Sequence, residues 1–597
     1  MKNLKKIIFL LTLQERKQAI MILGMVIIMA LLEMVGIASI MPFMAILADP
    51  NIIETNSLLK KAFNTSNIFG VENSDQFLFL LGIFVFLLLI ISLSFKALTT
   101  YFQLQFTATC QYSIGRRIVE GYLSQSYSWF LNKHSADLGK TILSEVATVV
   151  ANGLSPMISL IVKIIISITI LTLLILVDPK LALIAGFILC SAYGLIYKFS
   201  RNFLSKIGQE RLTANQWRFT AVAEAFGAVK EIKVGGLEQT YIDRFSDPAK
   251  AFAKHQASLG VLNILPRFAV EAVAFGGIIL IVLYLMYQSG DFAKIIPVLA
   301  LYAFAGYRLM PALQGIYTAV SQLRYVEPAL IALYKDLMSL QTPILNEKKD
   351  ILQISNAINL KNINYQYPNA EQLTLKNINL SIPARSTVGI VGATGSGKTT
   401  IVDIMLGLLE IKEGKLEVDG ILIDKKNLRA WQRSIGYVPQ QIYLSDDTIA
   451  ANIAFGKNKE FINQEAVERA AKIANLHDFV FNELPMGYQT TVGERGVRLS
   501  GGQRQRIGIA RALYNKPNVL ILDEATSALD NLTERAVMEA IENLGNDITI
   551  ILITHRLSTV KKCDNIFLID KGELKQQGTF ENLKNINDIF RETAKSS

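Results

Sequence analysis

A short glycine-rich segment has the residue types and spacing that bind nucleotide phosphates. Gly392-Ala-Thr-Gly-Ser-Gly-Lys398-Thr399 follows the apolar stretch Thr387–Val391, which predicts a strand, and opens a predicted helix, Thr400–Leu409. In this context the glycines let backbone N–H groups approach phosphate oxygens, and the helix N-terminus adds a positive dipole. The lysine supplies charge and the threonine hydroxyl ligates magnesium. We therefore expect an ATP and Mg²⁺ site at Gly392, Gly395, Ser396, Gly397, Lys398, Thr399 and Thr400.

Two acidic residues end a second apolar stretch. Val519–Leu522 predicts a buried parallel strand, and Asp523 and Glu524 follow it directly. Asp523 is expected to hold magnesium, directly or through water. Glu524 lies one residue further, where a carboxylate can polarise an attacking water, so it is the candidate general base. The alternative is an acid that caps a helix.

Residues 353–590 resemble the ATP-binding cassette (ABC) family. Leu499-Ser-Gly-Gly-Gln503 is similar to the signature of that family and precedes a predicted helix, Arg504–Leu513. A helix start of this kind is a second anion site. In the family the signature completes the nucleotide site of the opposite subunit. The resemblance therefore implies that ATP joins two cassettes face to face, with nucleotide contacts from Ser500, Gly501, Gly502 and Gln503.

Further positions of the cassette match the same family. Tyr367, which precedes a proline, resembles the aromatic residue that stacks on adenine. Gln440 resembles the glutamine that senses magnesium and the transmembrane domain, and His555 resembles the histidine at the γ-phosphate. Asp530 ends Ser527-Ala-Leu-Asp530, which resembles the loop between the two sites. The segment Thr491–Gly496 resembles one found in exporters of the family.

The first 335 residues have the composition of a membrane domain. The 597-residue chain is 51% hydrophobic and only 18% charged, whereas about 25% charged is usual for soluble domains. The fold predicted is a membrane α-helical domain of six spans and exporter type, followed by an α/β P-loop ATP-binding cassette. Each span needs about 20 apolar residues, and the six segments that qualify are 20–48, 77–106, 153–177, 181–198, 262–287 and 293–320.

Basic residues predict the orientation of these spans. The loops between spans two and three and between spans four and five are rich in Lys and Arg, as cytoplasmic loops are, and read as helices that extend beyond the membrane. This explains the net charge of +10 without a nucleic-acid partner. We expect a multi-pass protein of the bacterial inner membrane with both termini cytoplasmic. The predicted domains are 1–335, a linker at 336–352, and 353–597.

Ionisable residues inside the spans are candidates for substrate contacts, because such residues are costly in lipid. The set is Glu33, Lys96, Lys163, Arg267, Glu271 and Arg308. We expect a dimer to double Lys96, Arg267 and Arg308 into a basic cavity that faces the cytoplasm and binds an anionic head group such as pyrophosphate, since Arg binds phosphate through two hydrogen bonds. The alternative is internal ion pairing, for example of Glu271 with a nearby Arg.

Local motifs resemble the PglK-type flippases of lipid-linked oligosaccharides. They are Leu265-Pro-Arg267-Phe with Glu271, Tyr307-Arg308-Leu-Met-Pro311, Lys96-Ala-Leu, and Glu33 with Met41-Pro-Phe43. That family also has a short external helix, for which 53–64 is the candidate. The resemblance implies a polyprenyl-pyrophosphate-linked glycan as cargo. The alternative cargoes are another lipid (for example one of lipid A type), a drug, and a peptide or protein. The phosphate loop, the catalytic residues and the signature segment all match the active pattern of the ABC family. Two identical chains would therefore form two working nucleotide sites, so we expect a homodimer.

Overall fold

A computed structural model of the chain describes residues 2–66, 68, 70–289, 292–340, 351–368, 370–493, 496–525, 529–542, 544, 547–586 and 590. The chain divides into two compact units. The first comprises Met1–Gln125 and Asn132–Pro343, and the second comprises Ser126–Leu131 and Ile344–Ser597. Most of the predicted linker (341–350) lies outside the described residues, as do Gly290 and Asp291 between the fifth and sixth predicted spans.

Long helices dominate the chain up to residue 340. Four of them have between 48 and 52 residues, so each is about 70–80 Å long at 1.5 Å per residue. The helices are α1 (Lys2–Leu10), α2 (Leu13–Ala38), α3 (Ile40–Ala48), α4 (Ile52–Thr55), α5 (Ser57–Ser66), α6 (Ser74–Leu123), α7 (Tyr127–Phe130), α8 (Ser135–Lys140), α9 (Val146–Val149), α10 (Ser155–Val177), α11 (Pro179–Gly227), α12 (Val229–Gly235), α13 (Glu238–Ser289) and α14 (Phe292–Ser339).

Five stretches within the described residues are long and apolar enough to cross a membrane. They overlap the first five predicted spans, and at most 39% of the residues in their most apolar windows are buried. Side chains of this kind are expected to face lipid. The sixth predicted span coincides with α14, which is not among the five, so the count of six stays a prediction. The five are Leu13–Ala48, Ser74–Leu123, Ser135–Val177, Pro179–Gly227 and Glu238–Gly277.

Two connections between predicted spans contain short structural elements. One residue, Asp178, separates α10 from α11, in the gap between the predicted spans 153–177 and 181–198. The Asp178 carboxylate accepts hydrogen bonds from the backbone N–H groups of Lys180 and Leu181 at 3.0 and 3.2 Å. An N-cap followed by proline at the first helical position is a typical helix start. The helix predicted at 53–64 is divided at Asn56 into α4 and α5, and Phe63 packs on the buried Phe77.

A buried polar network joins α11 to the helical segment before α10. That segment contains two π-helical turns, Thr141–Glu145 and Val150–Leu154. Glu145 accepts hydrogen bonds from Arg211 Nη2 at 2.6 Å and from Asn215 Nδ2 at 2.7 Å. All three side chains are buried, so the ion pair is shielded from water.

Helix α13 carries two prolines in its interior, Pro248 and Pro266. Proline lacks the N–H that would bond to the preceding turn, so it weakens the helix locally. Near Pro266, Gln314 of α14 donates a hydrogen bond to the backbone oxygen of Asn263 at 2.5 Å. The same amide accepts one from the Tyr193 hydroxyl of α11 at 2.8 Å. One side chain therefore connects three long helices at the proline.

The second unit contains two sheets. Antiparallel strands form a four-stranded sheet in the order β2-β1-β4-β5, and the six-stranded sheet has the order β10-β9-β3-β8-β7-β6, in which only β10 is antiparallel to its neighbour. The strands are β1 (Ala357–Tyr365), β2 (Leu375–Pro383), β3 (Thr387–Val391), β4 (Glu413–Val418), β5 (Ile421–Leu422), β6 (Ile435–Val438), β7 (Val519–Asp523), β8 (Thr549–Thr554), β9 (Asn565–Asp570) and β10 (Glu573–Gly578).

Helices pack on these sheets and bury their apolar strands. All residues of β7 and β8 are buried, as expected for central parallel strands covered on both faces. The helices are α15 (Lys398–Met405), α16 (Leu428–Ser434), α17 (Ile449–Ile453), α18 (Gln464–Ile473), α19 (His477–Asn482), α20 (Gly501–Leu513), α21 (Asn531–Glu542) and α22 (Phe580–Ile586).

Candidate functional site

Parallel strands bring four predicted site residues to one edge of the six-stranded sheet. The carboxyl ends of β3, β6, β7 and β8 lie at the same edge, which is where open α/β sheets bind ligands. Gly392 follows β3, Gln440 lies two residues after β6, and Glu524 and His555 directly follow β7 and β8. The sheet order therefore assembles residues that are up to 163 positions apart.

The phosphate loop has the backbone shape that its glycines predict. Gly395 and Gly397 have φ values of +80° and +104°, which glycine adopts without steric cost. A Cβ on Gly392 would lie 2.2 Å from the backbone oxygen of Ile569. Lys398 Nζ donates hydrogen bonds to the oxygens of Gly392 and Ala393 at 2.8 and 2.9 Å. Since an ammonium group has three N–H donors, one is not used in these two bonds.

Carboxylates surround the buried lysine. Burial lowers the pKa of Lys398, and the charges of Glu524 and Asp523 oppose that shift. Burial and the neighbouring Glu524 raise the pKa of Asp523. Burial and the charge of Asp523 raise the pKa of Asp403, on α15, to about 6. The carboxylates outnumber the lysine, so the site favours a cation. The sequence analysis missed Asp403; its place five residues after Lys398, on the helix that the loop opens, was the available signal.

Glu524 lies between the two other predicted catalytic residues. Its Oε2 accepts a hydrogen bond from Gln440 Nε2 at 2.7 Å, and its Oε1 lies 3.0 Å from His555 Nδ1. The Glu524 backbone is left-handed, with φ of +48°, which is uncommon for a residue other than glycine and costs about 1 kcal/mol or more. Its N–H donates to the oxygen of Ile553 on β8 at 2.9 Å. This strained turn holds the carboxylate against Gln440 and His555.

Tyr367 has an additional contact besides its aromatic face. Its hydroxyl lies 3.2 Å from the hydroxyl of Thr400, a buried residue of α15. Its ring packs edge-on against Tyr365, with the ring centres 5.2 Å apart. The residue predicted to stack on adenine is thus connected to the helix that opens at the phosphate loop.

The signature segment begins helix α20 with a capping box. The Ser500 side chain accepts from the Gln503 N–H at 3.2 Å, and the Gln503 side chain accepts from the Ser500 N–H at 2.8 Å. Gly501 and Gly502 form the first turn. Asp530 accepts a hydrogen bond from the Thr533 N–H at 3.1 Å, near the start of α21. Predictions that involve Glu494, Arg495, Ser527 and Ala528 lie outside the described residues.

The residues fit a magnesium ion that is shared with a nucleotide. Among the described residues, no group of three His, Cys, Asp or Glu side chains could hold a metal. Magnesium is usually held by one or two protein ligands together with substrate phosphates. Thr399 at the start of α15 and Asp523 at the end of β7 would hold it. The amide oxygen of Gln440 is not used in its bond to Glu524.

The three cations predicted to contact substrate do not meet at one place. Lys96 Nζ and Arg308 Nη1 both donate to Oε1 of Glu33, at 2.7 and 3.0 Å. Arg267 instead pairs with Glu271 on its own helix, at 2.6 Å. Each of these three cations therefore has an internal partner, and the Arg267–Glu271 pair is the ion pair that the sequence analysis gave as its alternative. A basic cavity shared by two copies stays a prediction. The two pairs of Glu33 join residues up to 275 positions apart, which local patterns do not reveal.

Arg267 and Glu271 line a large apolar cavity between α10, α11, α13 and α14. Its volume is about 1370 Å³, and these two are the charged residues among its described lining. Tyr193, Tyr307 and Gln314 supply polar groups. A cavity with mainly apolar walls and a few polar groups suits an amphipathic molecule.

Comparison with known proteins gives matches over both units. The chain matches family models of the ABC transporter transmembrane region at 38–311 and of the ABC transporter ATP-binding region at 375–527. It is 33% identical over 446 residues to the chloroplastic ABC transporter B family member 29 of Arabidopsis thaliana, covering 74% of this chain and 69% of that protein. It is 42% identical over 243 residues to an ATP-dependent lipid A-core flippase of Pectobacterium atrosepticum, 41% of each.

A solved structure has the same fold. A bacterial Atm1-family ABC exporter with ATP bound superposes with a TM-score of 0.79 at 23% identity, over 97% of this chain and 98% of that one. A phosphate-loop cassette joined to long apolar helices defines a membrane-bound ATPase. The chain belongs to the ABC transporter family. It is a multi-pass half-transporter with the exporter-type fold, and it couples ATP hydrolysis to transport.

Proposed function

We propose that two copies of this chain form an exporter that moves a polyprenyl-pyrophosphate oligosaccharide from the inner to the outer leaflet of a bacterial inner membrane. The observation that carries the proposal is the group of Lys96, Arg308 and Glu33 inside the membrane unit. Charged groups within a membrane-spanning domain are costly and mark substrate paths. Two cations on one carboxylate leave positive charge for an anionic head group, and the nearby apolar cavity suits a lipid.

The cassette supplies the energy. In the proposed mechanism Glu524 removes a proton from the attacking water, and Gln440 and His555 hold its carboxylate in place through the bonds at 2.7 and 3.0 Å. Lys398 exchanges its bonds to loop carbonyls for bonds to phosphate oxygens. A bound Mg²⁺, held by Thr399 and Asp523, would neutralise phosphate charge.

Symmetry is part of the proposal. Each half of the nucleotide site has its full set of residues, so two identical chains give two working sites. The segment Ser500–Gln503 serves the nucleotide of the partner copy. The domain boundaries at 335 and 353 and the cytoplasmic location of both termini are retained as predictions.

A lipid of lipid A type is the second candidate cargo. It is favoured by the similarity to proteins named ATP-dependent lipid A-core flippase, for example 42% identity to that of Pectobacterium atrosepticum. Both candidates are anionic lipids, so Lys96 and Arg308 suit either one. The two differ in the chemistry of the anion, which a transport assay can separate.

The test is ATP-dependent translocation in reconstituted vesicles. A polyprenyl-pyrophosphate glycan, lipid A and a cationic dye are supplied separately, with the Glu524→Gln variant as the control that lacks hydrolysis. We expect translocation of the pyrophosphate lipid by the wild type alone. Movement of lipid A without the pyrophosphate lipid would replace the first candidate by the second. Movement of the dye alone would contradict both.

A further inference from the structure

Three ionisable side chains meet between α2, α6 and α14, and a fourth, on α10, lies within electrostatic range of them. Glu33 is almost fully buried, and its Oε1 accepts from both Lys96 and Arg308. Lys163 of α10 is close enough to interact electrostatically with Glu33 and Lys96. Its methylene groups lie against Gly315 of α14, where an added Cβ would be 3.0 Å from Lys163 Cγ. The cluster therefore combines three cations with one carboxylate.

The charges of this cluster do not balance. Three positive groups and one negative group leave a net charge of +2. Among the residues that the structure describes, Lys163 has no ion pair or hydrogen bond. Lys163 is partly buried, and a charge that is withdrawn from water without a partner is costly. An anion bound beside Lys163 would supply that partner.

Geometry indicates how the carboxylate acts. Lys96 and Arg308 share one oxygen of Glu33 and so are held close together. Glu33 also removes one unit of the positive charge that the three cations bring. The Glu33 carboxylate thus has two effects. It holds Lys96 and Arg308 close together, and it lowers the net charge of the cluster by one.

We propose that Lys96, Lys163 and Arg308 bind the phosphoanion of the transported lipid, and that Glu33 sets the site charge to +2 so that a diphosphate diester is preferred over a monophosphate diester. A diphosphate diester carries two negative charges and neutralises the cluster, whereas a monophosphate diester carries one and leaves a positive charge uncompensated. This inference rests on the proposed function. It adds Lys163 as a ligand and Glu33 as the residue that determines specificity.

The experiment measures a ratio of affinities. A prenyl-diphosphate sugar and a prenyl-monophosphate sugar are bound to the full-length protein in lipid nanodiscs without nucleotide, and the two dissociation constants are compared. The ratio is independent of the fraction of correctly folded protein. Lys163→Gln lowers the net charge to +1, so we expect the preference for the diphosphate to fall about tenfold, the effect of losing one charged hydrogen bond.

A charge-restoring double variant separates charge from contact. Glu33→Gln with Lys163→Gln returns the net charge to +2, so we expect the preference to recover to within about threefold of the wild type, less than the effect of one weak hydrogen bond. Lys180→Gln, which removes an exposed lysine from the first turn of α11, is the matched control and should leave the ratio unchanged. A Lys163→Gln variant with the wild-type ratio, or a double variant no better than Lys163→Gln, would overturn the inference.

Failure of the proposed function gives a different result. If the wild type neither binds nor transports the diphosphate lipid, the cargo is wrong and the cluster does not serve this anion. If the wild type transports it but the variants keep the wild-type preference, the cargo stands and the specificity role of the cluster is overturned. Inorganic pyrophosphate is added as a competitor of the prenyl-diphosphate sugar in the same binding assay. It tests whether the site binds a free anion as well as one attached to a lipid, and we expect it to compete only weakly.

Discussion

Removing Arg211 should destabilise the protein far more than removing an arginine from a surface pair. Glu145 and Arg211 have side-chain exposures of 5% and 3%, and the shortest distance between them is 2.6 Å. Breaking a buried pair by deleting one partner costs about 3–5 kcal/mol, because the other charge stays buried. Asn215 Nδ2 still donates to Glu145 at 2.7 Å. We therefore expect Arg211→Met to cost about 3 kcal/mol, the lower end of that range.

The double variant gives the decisive comparison. Arg211→Met with Glu145→Leu removes both charges, and replacing a buried pair by apolar residues is often neutral. The second substitution should therefore recover at least about 2 kcal/mol, which appears as a coupling energy in a double-mutant cycle. Thermal and denaturant unfolding of the purified protein measure it.

A surface pair in the same unit provides the control. Arg244 lies 3.7 Å from Glu224, and both side chains are more than half exposed. Arg244→Met should cost less than about 1 kcal/mol, as exposed pairs do. If Arg211→Met lowers the free energy of unfolding no more than Arg244→Met does, the argument from burial is refuted. It is also refuted if adding Glu145→Leu to Arg211→Met lowers the stability further.

The remaining predictions concern the cassette and the substrate path. Glu524→Gln should reduce ATP hydrolysis about 100- to 10,000-fold, the usual contribution of a general base, while ATP binding persists. Phosphate release measures the hydrolysis and a nucleotide-binding assay measures the binding; unchanged hydrolysis would reject the general-base role. Arg267→Ala or Arg308→Ala should reduce cargo translocation in vesicles while basal ATPase continues, and normal translocation would assign both residues to structure alone. Asp419→Asn should destabilise the protein at neutral pH: burial opposes ionisation of Asp419, but backbone N–H donors at Ser355, Asn356 and Ala357 outweigh it and lower its pKa. The stabilisation is then present above the unfolded pKa of about 3.9 and lost as pH falls through the lower folded pKa, so the difference in melting temperature should shrink below about pH 4; a constant difference would contradict it.

The sequence predicted the elements whose signals are local. Long apolar runs located the membrane helices, and the predicted span 153–177 ends where α10 ends, at Val177. The glycines at 395 and 397 occupy the left-handed positions that the loop needs. In each case the chemistry of adjacent residues determines the structure, so no distant contact had to be known.

Features that depend on distant contacts were not predictable from local patterns. Glu33 and Lys96 are 63 positions apart and Glu33 and Arg308 are 275 apart, and only helix packing makes them neighbours. Arg267 differs from these residues, because its partner Glu271 lies one turn away on the same helix, and the sequence analysis named this pairing as an alternative. The left-handed backbone of Glu524 accompanies a hydrogen bond to Ile553 on the neighbouring strand β8, a contact that the local sequence does not reveal.

Pro266 and Gln314 give the helix bundle a mechanical property. The part of α13 between its two prolines, Pro248 and Pro266, is roughly 27 Å long at 1.5 Å per residue. A bend of about 10° at Pro266 would displace the Pro248 end by roughly 5 Å. Arg267 directly follows the proline, so a small change of angle beside the cavity is amplified along the helix. Gln314 holds α13 in place at the bend, because its two hydrogen bonds tie the helix next to Pro266 to α14 and α11. The part of α13 before the proline is not held by these bonds.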